Sequence, residues 1–132
     1  MKTLEQVMSE QPLLCDYGFA HRHRDESIED FTARIEDGRR ILAQAGAEIA
    51  QAVEWITNNL EPAQKINEDV NSYGLKHYAE KEMGSYISNG VFIAAAMMCG
   101  YQWLRSAPDS PNAHINISKK LVKTLRKTYY GK

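Results

Sequence analysis

The sequence has little of what marks several protein classes. It holds only two cysteines, Cys15 and Cys99, which are too few for a disulfide scaffold. Its longest uncharged apolar run, residues 91–99, is far too short to span a bilayer. It carries no glycine-rich phosphate loop, and its first residues lead into polar sequence rather than an apolar leader. These absences argue against membrane-spanning and disulfide-rich proteins, so we expect a cytoplasmic protein with no membrane partner.

What is present is typical of one globular domain. Of the 132 residues, 43% are hydrophobic and 25% are charged, and both fractions lie near the average for folded proteins. A chain of this length builds one hydrophobic core. We therefore expect one compact domain, and neither a disordered nor a fibrous chain.

Charge is distributed unevenly along the chain, although the net charge is only −1. Residues 1–70 hold 14 acids against 7 bases, whereas residues 71–132 hold 3 acids against 9 bases. The last fourteen residues, 119–132, contain six bases and no acid. Such asymmetry indicates either a polyanionic partner for the second half or two halves that attract each other. A solvated basic C-terminus without a partner is the plain alternative.

The most regular pattern in the sequence is a seven-residue repeat of apolar residues. Its first position holds the aliphatic residues Ile28, Ile35, Leu42, Ile49 and Ile56. Its second position, three residues later, holds Phe31, Gly38, Ala45 and Ala52. This spacing predicts one helix over residues 28–60, about 50 Å long, which Pro62 would end.

Two points stay open in this helical segment. Gly38 and Gly46 each cost about 1 kcal/mol relative to Ala in a helix interior, so a break near Gly46 would give a helical hairpin instead. We favour the long helix because the repeat keeps its phase across Gly46. The apolar seam would either pack within the chain or join two copies as a homodimer. The predicted seam residues are Ile28, Phe31, Ile35, Leu42, Ile49 and Ile56.

The chain divides into three segments. Residues 1–26 show no clear period and contain Pro12 and Gly18, so we expect an N-terminal arm with a short helix at most. Residues 27–61 form the long helix or helical hairpin. Residues 72–132 are predicted to form a helix-helix-hairpin-helix unit, which makes the fold class mainly α.

The third segment carries clear start and stop signals. In chain order they are the N-cap pair Asn71–Ser72, the helix end Gly84, the cap 88–90 before an apolar helix 91–99, the proline-rich loop 106–112 of a hairpin, and the cap Ser118 of a basic helix. This order is that of a winged helix-turn-helix module. The helix 91–99 is apolar all round and should be buried.

The same segment contains a pattern of short motifs. They are SYGLKHYAE at 72–80, YISNGVFIAAA at 86–96, SPNA at 110–113 and NIS at 116–118. The pattern resembles one found in short proteins of phages, prophages and integrating mobile elements of bacteria. The resemblance implies a mobile-element origin and a bacterial host cytoplasm. It implies no known activity, so no functional residue is carried over.

The basic half of the chain predicts a nucleic-acid interface. Because the helix 91–99 offers no polar side chain for base edges, we expect contacts to phosphates, without sequence readout. Aromatic residues among the bases could anchor the partner. The predicted contact residues are Lys76, Lys81, Arg105, Lys119, Lys120, Lys123, Arg126, Lys127, Tyr129 and Tyr130.

We also weighed three chemical sites. Residues 21–25 read His-x-His-x-Asp, similar to the start of a metallo-hydrolase motif, but Glu26 stands where a further histidine is needed. Nothing local pairs Cys15 or Cys99 with a histidine as a nucleophile. Glu80 and Glu82 lie two apart and face different sides of a helix. We therefore expect no metal, no cofactor and no enzymatic activity.

The leading hypothesis is a small, non-enzymatic phage or mobile-element protein that binds nucleic acid through its basic C-terminal half. The alternative is a phage-encoded inhibitor that binds a host protein complex, such as a defence nuclease, through its acidic N-terminal half. A structural role in the phage particle comes third.

Overall fold

A computed structural model describes residues 1–131. Over that range the chain forms six helices and two antiparallel two-stranded sheets, which confirms a mainly α fold. The elements are α1 (Leu4–Glu10), β1 (Leu14–Cys15), β2 (Gly18–Phe19), α2 (Ile28–Ala43), α3 (Gly46–Asn59), α4 (Ser72–Met83), α5 (Asn89–Met98), β3 (Trp103–Arg105), β4 (Ala113–Ile115) and α6 (Lys119–Tyr130). The predicted order of helix, helix, hairpin and helix is therefore present in the second half.

Four helices start at an N-cap side chain, and three of these caps are ones that the sequence predicts. The side-chain oxygens of Ser27, Asn71, Ser88 and Ser118 each accept a hydrogen bond from the backbone N–H three residues on, at 3.0–3.2 Å. These bonds satisfy N–H groups that have no acceptor inside the helix. Gly84 ends α4 with a φ of 67°, a conformation that glycine adopts without strain.

The prediction of a single long helix over residues 28–60 is wrong, whereas the alternative of a break near Gly46 is confirmed. The helical path ends at Ala43, and α3 begins at Gly46 after Ala45 has left the helical region with a ψ of 34°. The two helices are not packed side by side as a hairpin either. Helix α2 packs against β1, whereas α3 packs against α5. The break lets each helix turn its apolar residues towards a different neighbour, which a straight helix could not do.

The predicted dimer seam is lost with that break. Leu42, Ile49 and Ile56 are buried in the chain's own core, so they present no surface to a second copy. At the other end of the repeat, Ile28 is 68% exposed. Phe31 and Ile35 are partly buried. The seven-residue repeat therefore forms no continuous stripe, and its buried half packs within the chain.

Helix α5 is the centre of the core. Every side chain from Val91 to Met97 is buried, as its all-round apolar sequence predicts. Helices α1, α3 and α4 and strand β2 surround it. The alanines at 94–96 let these neighbours approach closely. Because α5 has no exposed face, a ligand must bind to other elements of the fold.

The N-terminal segment is part of this core rather than an arm. Val7 on α1, Leu14 on β1 and Phe19 on β2 are all buried. Phe19 stacks on Trp103 of β3 with ring centroids 5.2 Å apart. Strands of two residues are too short to show a period of two, so this hairpin has no signal in the sequence.

A buried polar junction ties the segments together. Ser72 Oγ donates to Asn89 Oδ1 at 2.8 Å and accepts from the N–H of Ala113 at 3.0 Å. Asn89 Nδ2 in turn donates to the carbonyl oxygens of Tyr17 and Pro111 at 3.2 and 3.1 Å. The junction therefore joins α4 and α5 to the β1–β2 hairpin and to the loop before β4.

The motifs of the second half coincide with this scaffold. Asn116 accepts from the N–H of Gln102 at 2.8 Å and donates from Nδ2 to the carbonyl of Ala63 at 2.8 Å. Gly90 lies so close to the backbone of Cys15 that a Cβ would overlap the Cys15 carbonyl oxygen. The pattern thus specifies contacts inside the fold. No helix in residues 1–131 is both long and apolar enough to cross a membrane.

Candidate nucleic-acid interface

Helix α6 separates apolar and basic residues onto two faces. Val122 and Leu125 are buried, and Leu121 and Tyr129 pack against the core at its edge. We call the opposite side the α6 basic face, and its five exposed cations are Lys119, Lys120, Lys123, Arg126 and Lys127. No acid stands on this helix. The amphipathic spacing of the sequence therefore produces a surface of one charge sign.

Within residues 1–131, one ion pair restrains the α6 basic face. Lys119 Nζ lies 3.2 Å from Asp69 Oδ2, and both side chains are largely exposed. Exposed pairs of this kind contribute little to stability and yield to a competing anion. The other four cations of the face remain without an acidic partner in that range, so their charge is available to an anionic ligand.

Tyr130 and Lys81 extend the basic face onto α4. Tyr130 is 44% exposed, and its ring meets the edge of Tyr78. Lys81 Nζ lies 4.4 Å from the centroid of the Tyr130 ring, a cation–π contact that leaves the ammonium at the surface. These predicted residues therefore lie together with the α6 basic face. His77 and Tyr73, one and two turns before Lys81, continue an aromatic and basic stripe along α4.

Tyr129 packs against the core, unlike its neighbour Tyr130. Its hydroxyl accepts from Trp55 Nε1 at 3.2 Å and donates to Glu82 Oε2 at 2.9 Å. Its ring stacks on Tyr78 at 5.9 Å, and burial raises the pKa of its hydroxyl. The prediction that Tyr129 anchors a nucleic acid is corrected accordingly: it anchors α6 to α3 and α4. The spacing of Val122, Leu125 and Tyr129 by three and four was the signal for this.

The prediction that Lys76 contacts a nucleic acid is also corrected, because this residue is only 3% exposed. Its ammonium lies 3.2 Å from Glu80 Oε2 and near the rings of Tyr73 and Tyr86, at 5.0 and 4.7 Å. Glu80 Oε2 also accepts from the N–H of Ile87 at 2.9 Å. A buried lysine must be paired in this way to keep its charge. Lys76 therefore holds the turn between α4 and α5 and leaves no cation for a phosphate.

Arg105 holds a loop in place. Its Nε donates to the carbonyl of Ser110 at 2.7 Å, and its Nη2 donates to that of Ala20 at 3.2 Å. Its guanidinium lies over the Phe19 ring at 5.2 Å. The predicted phosphate contact at Arg105 therefore competes with three internal contacts, and the loop 106–112 is bound down rather than projecting as a mobile wing.

The sequence prediction missed the neighbours of α6 in the connector before α4. Ala63 and Asn67 donate backbone hydrogen bonds to Asn116 and Ile115, at 2.7 and 3.0 Å. This pairing brings Lys65 alongside the start of α6. Spacing along the chain could not show it, because the two segments are about fifty residues apart and meet only through the tertiary fold.

The other chemical motifs lie apart from this surface. Residues 21–25 are exposed, and no group of three or more possible metal ligands exists among residues 1–131. Cys15 points to the carbonyls of Leu13 and Ile35, and burial raises the pKa of its thiol. His114 contacts the carbonyl of Val70 through Nδ1 at 2.7 Å. Burial also raises the pKa of Cys99, so neither thiol is activated as a thiolate.

Comparison of the chain with protein-family models, with curated proteins and with solved structures gives no significant match.

Proposed function

We propose that this protein is a small, non-enzymatic mobile-element protein that binds nucleic acid through the α6 basic face, Lys81 and Tyr130. The observation that carries the proposal is that five exposed cations share one side of a twelve-residue helix that has no acid. A helix of this length presents about 18 Å of positive surface, enough for several consecutive phosphates. Tyr130 at its end adds a ring on which an unpaired base can stack.

The proposed binding is electrostatic and blind to sequence. In a winged helix-turn-helix arrangement, α5 would be the helix that reads base edges, but all its residues from Val91 to Met97 face the core. The loop 106–112 is held by Arg105 and Asn89. The proposal therefore takes only the order of helices and strands from a winged helix-turn-helix protein. In place of a recognition helix, α6 is the helix that contacts the nucleic acid.

The experiment is a titration of labelled duplex and single-stranded oligonucleotides, followed by fluorescence anisotropy at several salt concentrations. About four phosphate contacts predict a log–log salt slope near −3.6 for duplex DNA. Replacing Lys120, Lys123 and Lys127 with glutamate should abolish binding. The matched control replaces the exposed Arg22, Arg24 and Arg40 with glutamate, which makes the same change in net charge away from α6.

The two variants separate a local interface from the overall charge. Loss of binding in the α6 variant with retention in the control supports the proposal. Equal loss in both variants would show that only net charge matters. Absence of binding at low salt, or strong preference for one base sequence, would contradict the proposal.

The alternative is an inhibitor of a host protein complex, and the surface of α2 favours it. Ile28 and Ile41 are 68% and 42% exposed at the two ends of this helix. Between them the exposed acids are Glu29, Asp30, Glu36 and Asp37. Apolar anchors among acids suit a basic protein surface. If the oligonucleotides do not bind, a variant with Ile28 and Ile41 changed to serine should lose association with the host complex that the wild type inhibits.

A further inference from the structure

The connector before α4 and the start of α6 enclose a groove. It consists of two adjoining cavities of about 190 and 260 Å³. The residues that matter for its chemistry are Lys65, Asn67, Asp69, Lys119, Lys123 and Arg126. Four of them are cations and one is an acid, so the groove is strongly positive.

Asn67 forms part of the wall of both cavities and is only 6% exposed. Its Oδ1 accepts from the N–H of Asp69 at 2.9 Å, which fixes the orientation of the amide. Its Nδ2 is buried and has no acceptor among residues 1–131. A buried donor without a partner lowers stability, and few occur in folded proteins. This donor therefore indicates an acceptor that is supplied from outside the chain.

The start of α6 adds further donors at the same place. Ser118 Oγ accepts from the N–H of Leu121 at 3.0 Å, so the cap already occupies that group. The N–H groups of Lys119 and Lys120 lie in the first turn and have no acceptor within the helix. The helix dipole makes this end positive, which favours an anion.

We propose that this groove is a binding site for a phosphate-type oxyanion. The anion accepts from Asn67 Nδ2 and from the first turn of α6, and Lys65, Lys119, Lys123 and Arg126 balance its charge. Asp69 opposes it, since its carboxylate oxygen Oδ2 lies 3.2 Å from Lys119 Nζ. The anion must take Lys119 from Asp69, so removing that carboxylate should strengthen binding.

Two sources supply this chemistry, free phosphate and the phosphodiester of a nucleic acid. The second source rests on the proposed function, whereas the first does not. The test begins with inorganic phosphate, added to ¹⁵N-labelled protein and compared with sodium chloride at equal ionic strength. The side-chain amide signals of Asn67 and the backbone signals of Lys119 and Lys120 should shift and saturate at millimolar phosphate, and chloride should not reproduce the shift.

Three variants sharpen this first arm. Asn67→Asp keeps the acceptor for the Asp69 N–H and removes the free donor, so phosphate affinity should fall about tenfold or more. Lys123 is exposed, so Lys123→Gln should keep the fold and weaken phosphate binding severalfold. Asp69→Asn should tighten binding. Arg40→Gln on α2 removes a cation elsewhere and should change nothing. Non-saturating shifts, equal in chloride and in all variants, would overturn the site even if Asn67→Asp failed to fold.

The second arm uses a short oligonucleotide with the same proteins. If phosphate binds and the oligonucleotide competes with it, the groove holds a backbone phosphate. If phosphate binds and no oligonucleotide does, the groove takes free phosphate and the proposed function fails alone. If the oligonucleotide binds while phosphate does not, the anion site is wrong and the α6 basic face stands without it.

Discussion

The buried surroundings of α5 and the α6 basic face use their polar residues in opposite ways. Around α5, Ser72 and Asn89 direct their hydrogen bonds to other parts of the chain. On the α6 basic face, only one of the five cations, Lys119, forms an ion pair within residues 1–131. The short motifs at 72–80, 86–96, 110–113 and 116–118 lie in the first region. These motifs therefore specify contacts within the fold, whereas the surface proposed for function lies outside them.

The largest effect is expected when a charge is placed in the buried surroundings of α5. Ala95→Asp places a carboxylate at a fully buried position of α5. An unpaired buried charge costs several kcal/mol, a large part of the roughly 5–15 kcal/mol that stabilises a typical domain. We expect no cooperative thermal unfolding by circular dichroism. Ala50→Asp, on the exposed side of α3, is the control and should melt near the parent temperature. Cooperative melting of Ala95→Asp at that temperature would remove α5 from the core.

A pair of glycine substitutions tests the close approach in the same region. In Gly90→Ala the new methyl overlaps the Cys15 carbonyl, so the backbone must move, at a cost of about 1–3 kcal/mol or more. Gly46→Ala meets no atom within 4 Å and should stabilise the protein by about 0.4–1 kcal/mol. Urea unfolding measures both changes. Equal effects at the two positions would show that the contact between β1 and α5 is looser than described.

Tyr129 and Tyr130 place the boundary between the two regions within one dipeptide. Tyr129→Phe removes hydrogen bonds to Trp55 and Glu82 and should cost about 1–3 kcal/mol, with oligonucleotide affinity unchanged. Tyr130→Ala should cost under about 1 kcal/mol in stability and weaken single-strand binding by about 1–3 kcal/mol. Unfolding and anisotropy titrations of both variants give the four values. The reverse assignment would mean that Tyr129, not Tyr130, meets the ligand.

Local signals explain how much of the fold the sequence predicts. The caps at Asn71, Ser88 and Ser118 act within three residues, so their helices begin where the sequence places them. The break after Ala43 has a local signal in Gly46, which lies beside it. What the sequence does not show is that α2 and α3 pack against different neighbours, which outweighs the continuous phase of the repeat.

In the candidate site, too, some features follow from local sequence signals and others from tertiary contacts. The exposure of Lys120 and Lys123 follows from the amphipathic spacing of α6 alone. The burial of Lys76 depends on Glu80, Tyr86 and the N–H of Ile87 meeting after the chain has turned. Asn67 reaches α6 only through pairing with β4. Residue type and spacing identify the exposed cations, but tertiary contacts decide which of them are free.

The smallest expected effect concerns Glu26, which forms a partly buried ion pair with Arg34. Arg34 donates from Nε and Nη2 to the Glu26 carboxylate, at 2.9 and 2.8 Å. These bonds, with help from the N–H of His23, hold the pKa of Glu26 at about 2 against an ordinary 4.5. Since folding lowers this pKa, the charged carboxylate stabilises the protein above pH 4.5. That contribution declines as the pH falls towards about 2.

The measurement is the free energy of unfolding of the wild type minus that of Glu26→Gln, from urea titrations between pH 2 and 7. Taking the difference cancels the other carboxyl groups, which titrate alike in both proteins. The gap should be constant above about pH 5 and should close as the pH falls from 4.5 towards 2. A gap that stays constant to pH 2 would mean that the Glu26 charge contributes nothing. The pair with Arg34 would then be one of the many ion pairs without measurable energy.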